Sequence, residues 1–284
     1  MSKVAVVTDS TAYLPPELLK QYNITVTPLS LIWGNETLYD GVDILPDEFY
    51  KRLATSKTMP TTSQVSIAAH KATFENLLDE GYSVLGIFMS GKLSGTVQSA
   101  AQARELLPKA ADKIAIVDSK TTAMAMGFHV LTVARAAQEG ANLVECQKLE
   151  EKCQQHTGVY FVVDNLEFLH RGGRIGGAQA LMGLALKIKP VLEIREGRID
   201  SVEKVRTKRK AVERMIALVS HQVEGKTPVR LAAFHADAEA EARSILETAS
   251  ATLNPVETIF TSVSPVIGSH TGPGTVSLAY MAGM

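Results

Sequence analysis

The stretch SVLGIFMSGKLSGTVQSA, Ser83–Ala100, packs a strand, a loop and a helix start into one short span. SVLGIFM is a short apolar run that ends abruptly at Ser90, as a buried strand does. GTVQSAAQARELL then has the small and long-chain residues of a helix. A strand that feeds a helix through a glycine-rich loop is the unit of a parallel sheet covered by helices. By counting alone, Gly86 to Lys92 also reads as the first seven positions of a phosphate-binding loop, G-x-x-x-x-G-K. That reading fails on placement. Gly86 is followed by Ile87, Phe88 and Met89, which belong to the strand, and Leu93 stands where a magnesium-holding hydroxyl should be.

The same alternation extends outward. KVAVVTDS predicts a first strand, LPPELLKQYN a short helix, and ITVTPLSLIW a strand interrupted at Pro28. LPDEFYKRLATS predicts a helix with acids in its first turn, and TTSQVSIAAHKATFENLLDEG a hydroxyl-rich loop followed by a helix. KIAIVDSK and TTAMAMGFHVLTVARAAQEG add a strand and a long helix. Beyond the helix LVECQKLEEKCQQH the pattern changes. GVYFVVDN predicts a strand, LEFLHRGGRIGGAQALMGLAL a glycine-rich turn feeding an apolar helix, and KPVLEIREGRIDSVEKVRT a hairpin turning at Glu196–Gly197. TKRKAVERMIALVSHQV, VRLAAFHAD, AEAEARSILETASATL and VETIFTSVSP continue as helix, strand, helix and strand. GSHTGPG and the alternating TVSLAYM close the chain. The expected architecture is two α/β domains, residues 1–155 with a mostly parallel sheet flanked by helices and residues 156–284 with a mixed sheet and helices.

Composition narrows the function classes. The 284 residues are 45% hydrophobic and 21% charged with a formal net charge of −1, an ordinary globular balance with no field to attract nucleic acid or an anionic membrane. The start MSKVAVVTDS lacks signal-peptide architecture, and no long uncharged apolar stretch suggests membrane insertion. A cytoplasmic location is expected. Cys146 and Cys153 lie two helical turns apart, roughly 10 Å along the axis and too far for a disulfide, so both read as buried side chains. No H-x-x-x-H or C-x-x-C pairing suggests a metal.

In an open α/β sheet, ligands sit beyond the carboxyl ends of the strands. Those crests carry Thr8–Thr11 with Asp9, Ser90–Thr96 with Ser94, Gly95 and Thr96, and Asp118–Thr122 with Ser119. Thr61, Thr62, Ser63 and Gln64 precede a helix. Helix capping accounts for any one of these, but two glycines and two serines in SGKLSGT exceed what a cap requires. Ser94 with His270, and Asp9 or Asp118 as orienting acid, would make a serine hydrolase or acyl-transfer enzyme. The same hydroxyls, imidazole and helix-start N–H groups could instead bind a carboxylate without reacting. HRGGRI, His170–Ile175, and the basic run KVRTKRK, Lys204–Lys210, read either as solvated turns or as a docking patch.

VVTDST, TSQ at Thr62–Gln64, SGKLSGT, VDS at Val117–Ser119, FLHRGGRI, KP at Lys189–Pro190, KVRT and HTGPGTV occur here in order across essentially the whole chain. In this the sequence resembles the DegV family, fatty-acid-binding proteins that serve bacterial fatty-acid kinases. The resemblance implies a non-enzymatic carrier that buries a long acyl chain such as palmitate. It would hold the carboxylate with Thr62, Ser94, Gly95 and His270, supported by loops bearing Thr61, Ser63, Thr96, Asp9 and Ser119. It implies no cofactor and no metal. It further implies an ATP-dependent kinase partner that docks on Arg171 and Arg206 and forms an acyl phosphate for phospholipid synthesis. Val65 departs from the pattern, since proline commonly follows TSQ in the family. AQALMGLAL and the Met124, Met126 stretch are candidates for the tunnel wall, and the head-group site is expected to be electrically neutral.

Overall fold

The computed structural model describes residues 3–184 and 188–284, without the side chain of residue 184. In the first half the strands are β1 (Val4–Asp9), β2 (Thr25–Thr27), β3 (Ser30–Trp33), β4 (Glu36–Tyr39), β5 (Thr61–Ser63), β6 (Ser83–Phe88) and β7 (Ile114–Asp118). Between them lie helices α1 (Pro16–Gln21), α2 (Pro46–Thr55), α3 (Ile67–Asp79) and α4 (Thr96–Glu105), followed by α5 (Ala123–Gln138) and α6 (Leu143–Cys153). The second half contains β8 (Thr157–Val162), α7 (Glu167–Arg171), β9 (Lys189–Arg195), β10 (Arg198–Val205) and α8 (Lys208–Val223). It ends with β11 (Val229–His235), α9 (Glu239–Leu253), β12 (Glu257–Ser262), α10 (Pro265–Thr271) and β13 (Val276–Ala282).

The chain is an α/β protein built on two principal sheets. β2-β1-β6-β7 is wholly parallel, and β10-β9-β8-β13-β11-β12 is mixed, with β11–β12 its parallel pair. Parallel strands are covered on both faces, and β1 and β6 are buried at every position. Val4, Val6, Leu85 and Ile87 point into a core shared with α5. Ala5, Val7, Val84 and Phe88 pack on the other face with Phe74 of α3 and Ala100 of α4. The terminal strand behaves in the same way: its alternation separates two buried faces rather than a wet and a dry one. Ala279 and Met281 enter the core shared with α5, whereas Leu278 and Tyr280 pack with Met215 of α8 and Ile245 of α9. Helix α5 lies between the two sheets, against β1 and β6 on one side and β8 and β13 on the other. A helix that is apolar around most of its circumference can be stable only in such a place.

Several local expectations are corrected. Pro28 divides ITVTPLSLIW, so β2 joins the parallel sheet while β3 begins a separate antiparallel sheet, β4-β3-β5. The TTS segment is not a loop but the strand β5, with Thr62 opposite Leu31. Its β-branched threonines suit a pleated strand, and three residues are too few to show a period. The apolar run after RGGRI is a 3-10 stretch, Gly176–Leu184, rather than an α-helix. Ala185 and Leu186 of the proposed tunnel wall lie outside the described residues. The GSHT segment is the end of α10, which begins with Pro265 at a position where no N–H is needed. Cys146 and Cys153 are free and fully buried, and burial pushes their thiols up to about 11 and about 12.

Candidate carboxylate site and apolar cavity

The loop after β6 is tied down on both sides. Ser90 N–H donates to Thr121 O at 2.8 Å, and Leu93 and Ser94 N–H groups turn back onto Ser90 O at 2.9 and 3.0 Å. Gly91 N–H donates to Asp118 Oδ2 at 3.2 Å. The lysine that suggested a phosphate loop has another role. Lys92 Nζ donates to Glu196 O at 2.6 Å and the buried Ser90 Oγ donates to Gly197 O at 2.7 Å, so SGK clasps the β9–β10 hairpin tip. Leu93, in the place of the absent hydroxyl, faces a cavity instead.

That cavity has a volume of about 210 Å³, more than ten times the ~10–15 Å³ that one water requires. Most of its wall is apolar, including Leu29, Met89, Leu93, Val159, Phe161, Leu169, Ile194, Phe234 and Val263. Its polar groups include Thr62, Ser63 and Gln64, Ser94 and Gly95, Arg174 and His270, together with the hydroxyls of Thr122, Thr271, Thr275 and Ser277. Thr62 Oγ1 and His270 Nε2 are 2.8 Å apart, a contact between residues 208 positions apart in the chain. Ser94 Oγ lies 2.9 Å from Thr96 Oγ1 and accepts from Thr96 N–H at 3.3 Å. Gly95 precedes α4 with no side-chain cap, and a Cβ there would stand 1.9 Å from Gln64 Oε1, so a larger residue would require the Gln64 side chain to move. His270 is packed against Gly172, and its Nδ1 has no hydrogen-bond partner among the described residues. Burial, and then the Arg174 charge beside it, push the imidazole down to about 4, so it is neutral at pH 7.

The structure brings several of the expected residues together, and adds Arg174 to them. Thr62, Ser63, Ser94, Gly95 and His270 line the cavity, and Thr96 supports Ser94 from the first turn of α4. Thr61 is exposed on β5 opposite Ile32. Asp9 and Ser119 lie off the cavity wall. Asp9 Oδ1 accepts from Thr11 N–H and O–H while Oδ2 accepts from Met89 N–H, which joins the ends of β1 and β6. Burial raises the Asp9 pKa and these bonds oppose the rise. Ser119 closes a local turn onto Thr121. Arg174, and not Arg171, lines the cavity. Its Nε donates to Leu93 O at 3.1 Å and its Nη1 to Gly172 O at 2.7 Å, so the site carries a fixed positive charge and is not neutral. Arg171 points outward, 60% exposed and paired with Glu167, and Arg206 is exposed as well. Met124 and Met126 are sealed in the core, and none of residues 178–183 lines the cavity. Val65 is buried with its carbonyl accepting from Ser99 Oγ at 2.7 Å, which fixes the backbone at this position.

Among the described residues no hydrolytic triad is assembled. His270 contacts Thr62 rather than Ser94, no carboxylate meets its Nδ1, and the acids considered as orienters, Asp9 and Asp118, are bound to backbone N–H groups. Among the described residues no group of three or more His, Cys, Asp or Glu side chains is placed to hold a metal, and no helix is long and apolar enough to cross a membrane.

Residues 3–283 match the family model described as "Uncharacterised protein, DegV family". This chain belongs to the DegV family. A DegV domain-containing protein of Clostridium perfringens is 36% identical over 279 residues, covering 98% of each chain. Among solved structures, a DegV-family protein of Thermus thermophilus described by its fatty-acid binding superposes with a TM-score of 0.91 at 34% identity, over 99% of each chain. DegV of Bacillus subtilis, described as a fatty acid binding protein, gives the same TM-score and identity over 99% of this chain and 100% of its own. The α/β architecture of this DegV-family chain is therefore that of proteins described as fatty acid binders.

Proposed function

We propose that this protein is a long-chain fatty-acid carrier that buries the acyl tail in the cavity and holds the carboxylate at Thr62, Ser94, Gly95 and His270. The observation that carries the reading is the pairing of an apolar cavity with a set of hydroxyls and an imidazole from separate chain segments in its wall. The division of labour is physical. Burying about 15 methylenes at ~0.8 kcal/mol each supplies on the order of 12 kcal/mol gross, from which association and ordering costs are subtracted. The head cluster adds orientation: hydroxyl donors and the first N–H groups of α4 address the carboxylate oxygens. Arg174, anchored to two carbonyls, supplies positive potential without becoming a tight ion pair that would blunt the carboxylate.

In this reading the protein is not itself a catalyst. A kinase holding ATP docks on the outward-facing Arg171 and Arg206 and transfers phosphate to the presented carboxylate, giving an acyl phosphate for phospholipid synthesis in the cytoplasm. Residues 1–155 supply the hydroxyl loops and residues 156–284 the docking arginines and His270. Mass spectrometry of the purified protein after denaturing extraction tests the carrier role. A stoichiometric long-chain fatty acid is expected; no extracted fatty acid together with no binding of added palmitate would overturn it.

A further inference from the structure

One polar side chain in the cavity wall has no role in holding the carboxylate. Ser277 is on β13, 1% exposed, and points to the same face as the apolar Ala279 and Met281. Its neighbours across the sheet are Phe161 of β8 and Phe234 of β11, both of which also line the cavity. The other hydroxyls in this part of the wall have committed their protons within the protein. Thr122 Oγ1 donates to Thr11 Oγ1 at 2.8 Å, and Thr271 Oγ1 to Ile267 O at 3.2 Å. Thr275 Oγ1 is shared between Thr271 O at 3.1 Å and Gly272 O at 3.0 Å. The Ser277 hydroxyl makes no hydrogen bond among the described residues and borders the cavity. Facing a methylene chain, this hydroxyl would be a buried donor and acceptor with neither capacity met, which proteins avoid.

We infer that the cavity is built for an acyl chain carrying a hydroxyl group along its length, and that Ser277 is the specificity-determining residue that reads it. The inference rests on the fatty-acid reading of the cavity and deepens it by naming the substrate class. A chain hydroxyl beside Ser277 can accept from its Oγ–H or, turned the other way, donate to Ser277 Oγ, so that one hydrogen bond is made. Ser277 holds one fixed position on β13, so the match is restricted to a short segment of the tail. A chain hydroxyl at any other position meets apolar wall and is disfavoured.

The test is a competition titration of the delipidated protein with palmitate and a positional series of monohydroxypalmitates, using wild type and Ser277→Ala. At one position or an adjacent pair, the wild type should bind the hydroxy acid about five- to ten-fold more tightly than palmitate, as one matched hydrogen bond allows. Ser277→Ala should remove that preference while binding palmitate at least as tightly as wild type. Palmitate binding with no favoured hydroxyl position, or a preference that survives Ser277→Ala, would overturn the inference and leave the carrier reading standing. Failure of palmitate and of every derivative to bind would overturn both.

Discussion

Adding one methyl group at Gly172 should disable the carboxylate site while leaving the fold intact. A Cβ built there stands 2.1 Å from His270 Nδ1 and about 3 Å from two ring carbons, where ordinary contact begins at 3.4 Å. The ring must therefore retreat by about 1.3 Å, out of the 2.8 Å contact that fixes Nε2 on Thr62. The backbone at Gly172 has φ of −72°, which alanine adopts freely, so the substitution adds no strain of its own and restricts the unfolded chain. The loss falls on one hydrogen bond to a charged ligand, about 1.5–3 kcal/mol, or roughly 10- to 100-fold in affinity. Calorimetric titration of delipidated wild type and Gly172→Ala with palmitate at pH 7 measures it, with methyl palmitate as a tail-only comparator. The variant should lose most of its preference for acid over ester and keep its affinity for the ester. Palmitate affinity within two-fold of wild type would refute the role given to His270, and an equal loss for the ester would show that the tail cavity was damaged instead.

Three further outcomes follow from the same geometry. Ser90→Ala removes the buried hydroxyl that donates to Gly197 O and accepts from Lys92 N–H, and should lower unfolding stability by about 1–3 kcal/mol with an unchanged denaturant slope; an unaltered midpoint would contradict the clasp. His70 is fully buried between Phe74 and Phe88, and burial pushes its imidazole from 6.5 down to about 4. The unfolded chain therefore takes up a proton that the folded one refuses, so stability is lost as pH falls from about 6.5 to 4 and is unaffected above; the difference amounts to roughly 3 kcal/mol. His70→Leu should flatten that part of the stability–pH curve relative to wild type, a comparison in which Asp40, raised to about 6 by burial, cancels; parallel curves would contradict it. In the proposed partnership with a kinase, Arg171→Ala, which removes an exposed guanidinium paired with Glu167, should leave palmitate affinity unchanged while slowing acyl-phosphate formation; weakened palmitate binding would contradict the separation of docking from binding.

The alternation of apolar runs with helix patterns made the parallel sheet legible, because β1 and β6 are buried on both faces and have no polar positions to confuse the reading. β4 and β5 escape because strands of three or four residues show no period, and β3, read together with β2, joins them in a sheet assembled by contacts across the chain rather than by local propensity. Within the site, Ser94 and His270 stand out as polar residues beside glycines, and Thr62 as part of a hydroxyl-rich stretch before a helix. Arg174 did not, because nothing in RGGR says which arginine the turn directs inward; Leu93 O and Gly172 O decide that in three dimensions. Asp9 and Ser119 looked like binding groups for the reason that makes them structural: acids and hydroxyls at strand ends are also the groups that close turns. Met124 and Met126 suggested a tunnel wall, yet the helix that bears them is enclosed by two sheets.

The most direct test of the carrier reading is a crystal structure of the delipidated protein soaked with palmitate. It should show one acyl chain in the cavity with its carboxylate within hydrogen-bond distance of Thr62 Oγ1, Ser94 Oγ or His270 Nε2, and its tail running past Phe161 and Phe234. A cavity without acyl density at saturating palmitate, or a chain bound with its carboxylate away from those three residues, would contradict the account.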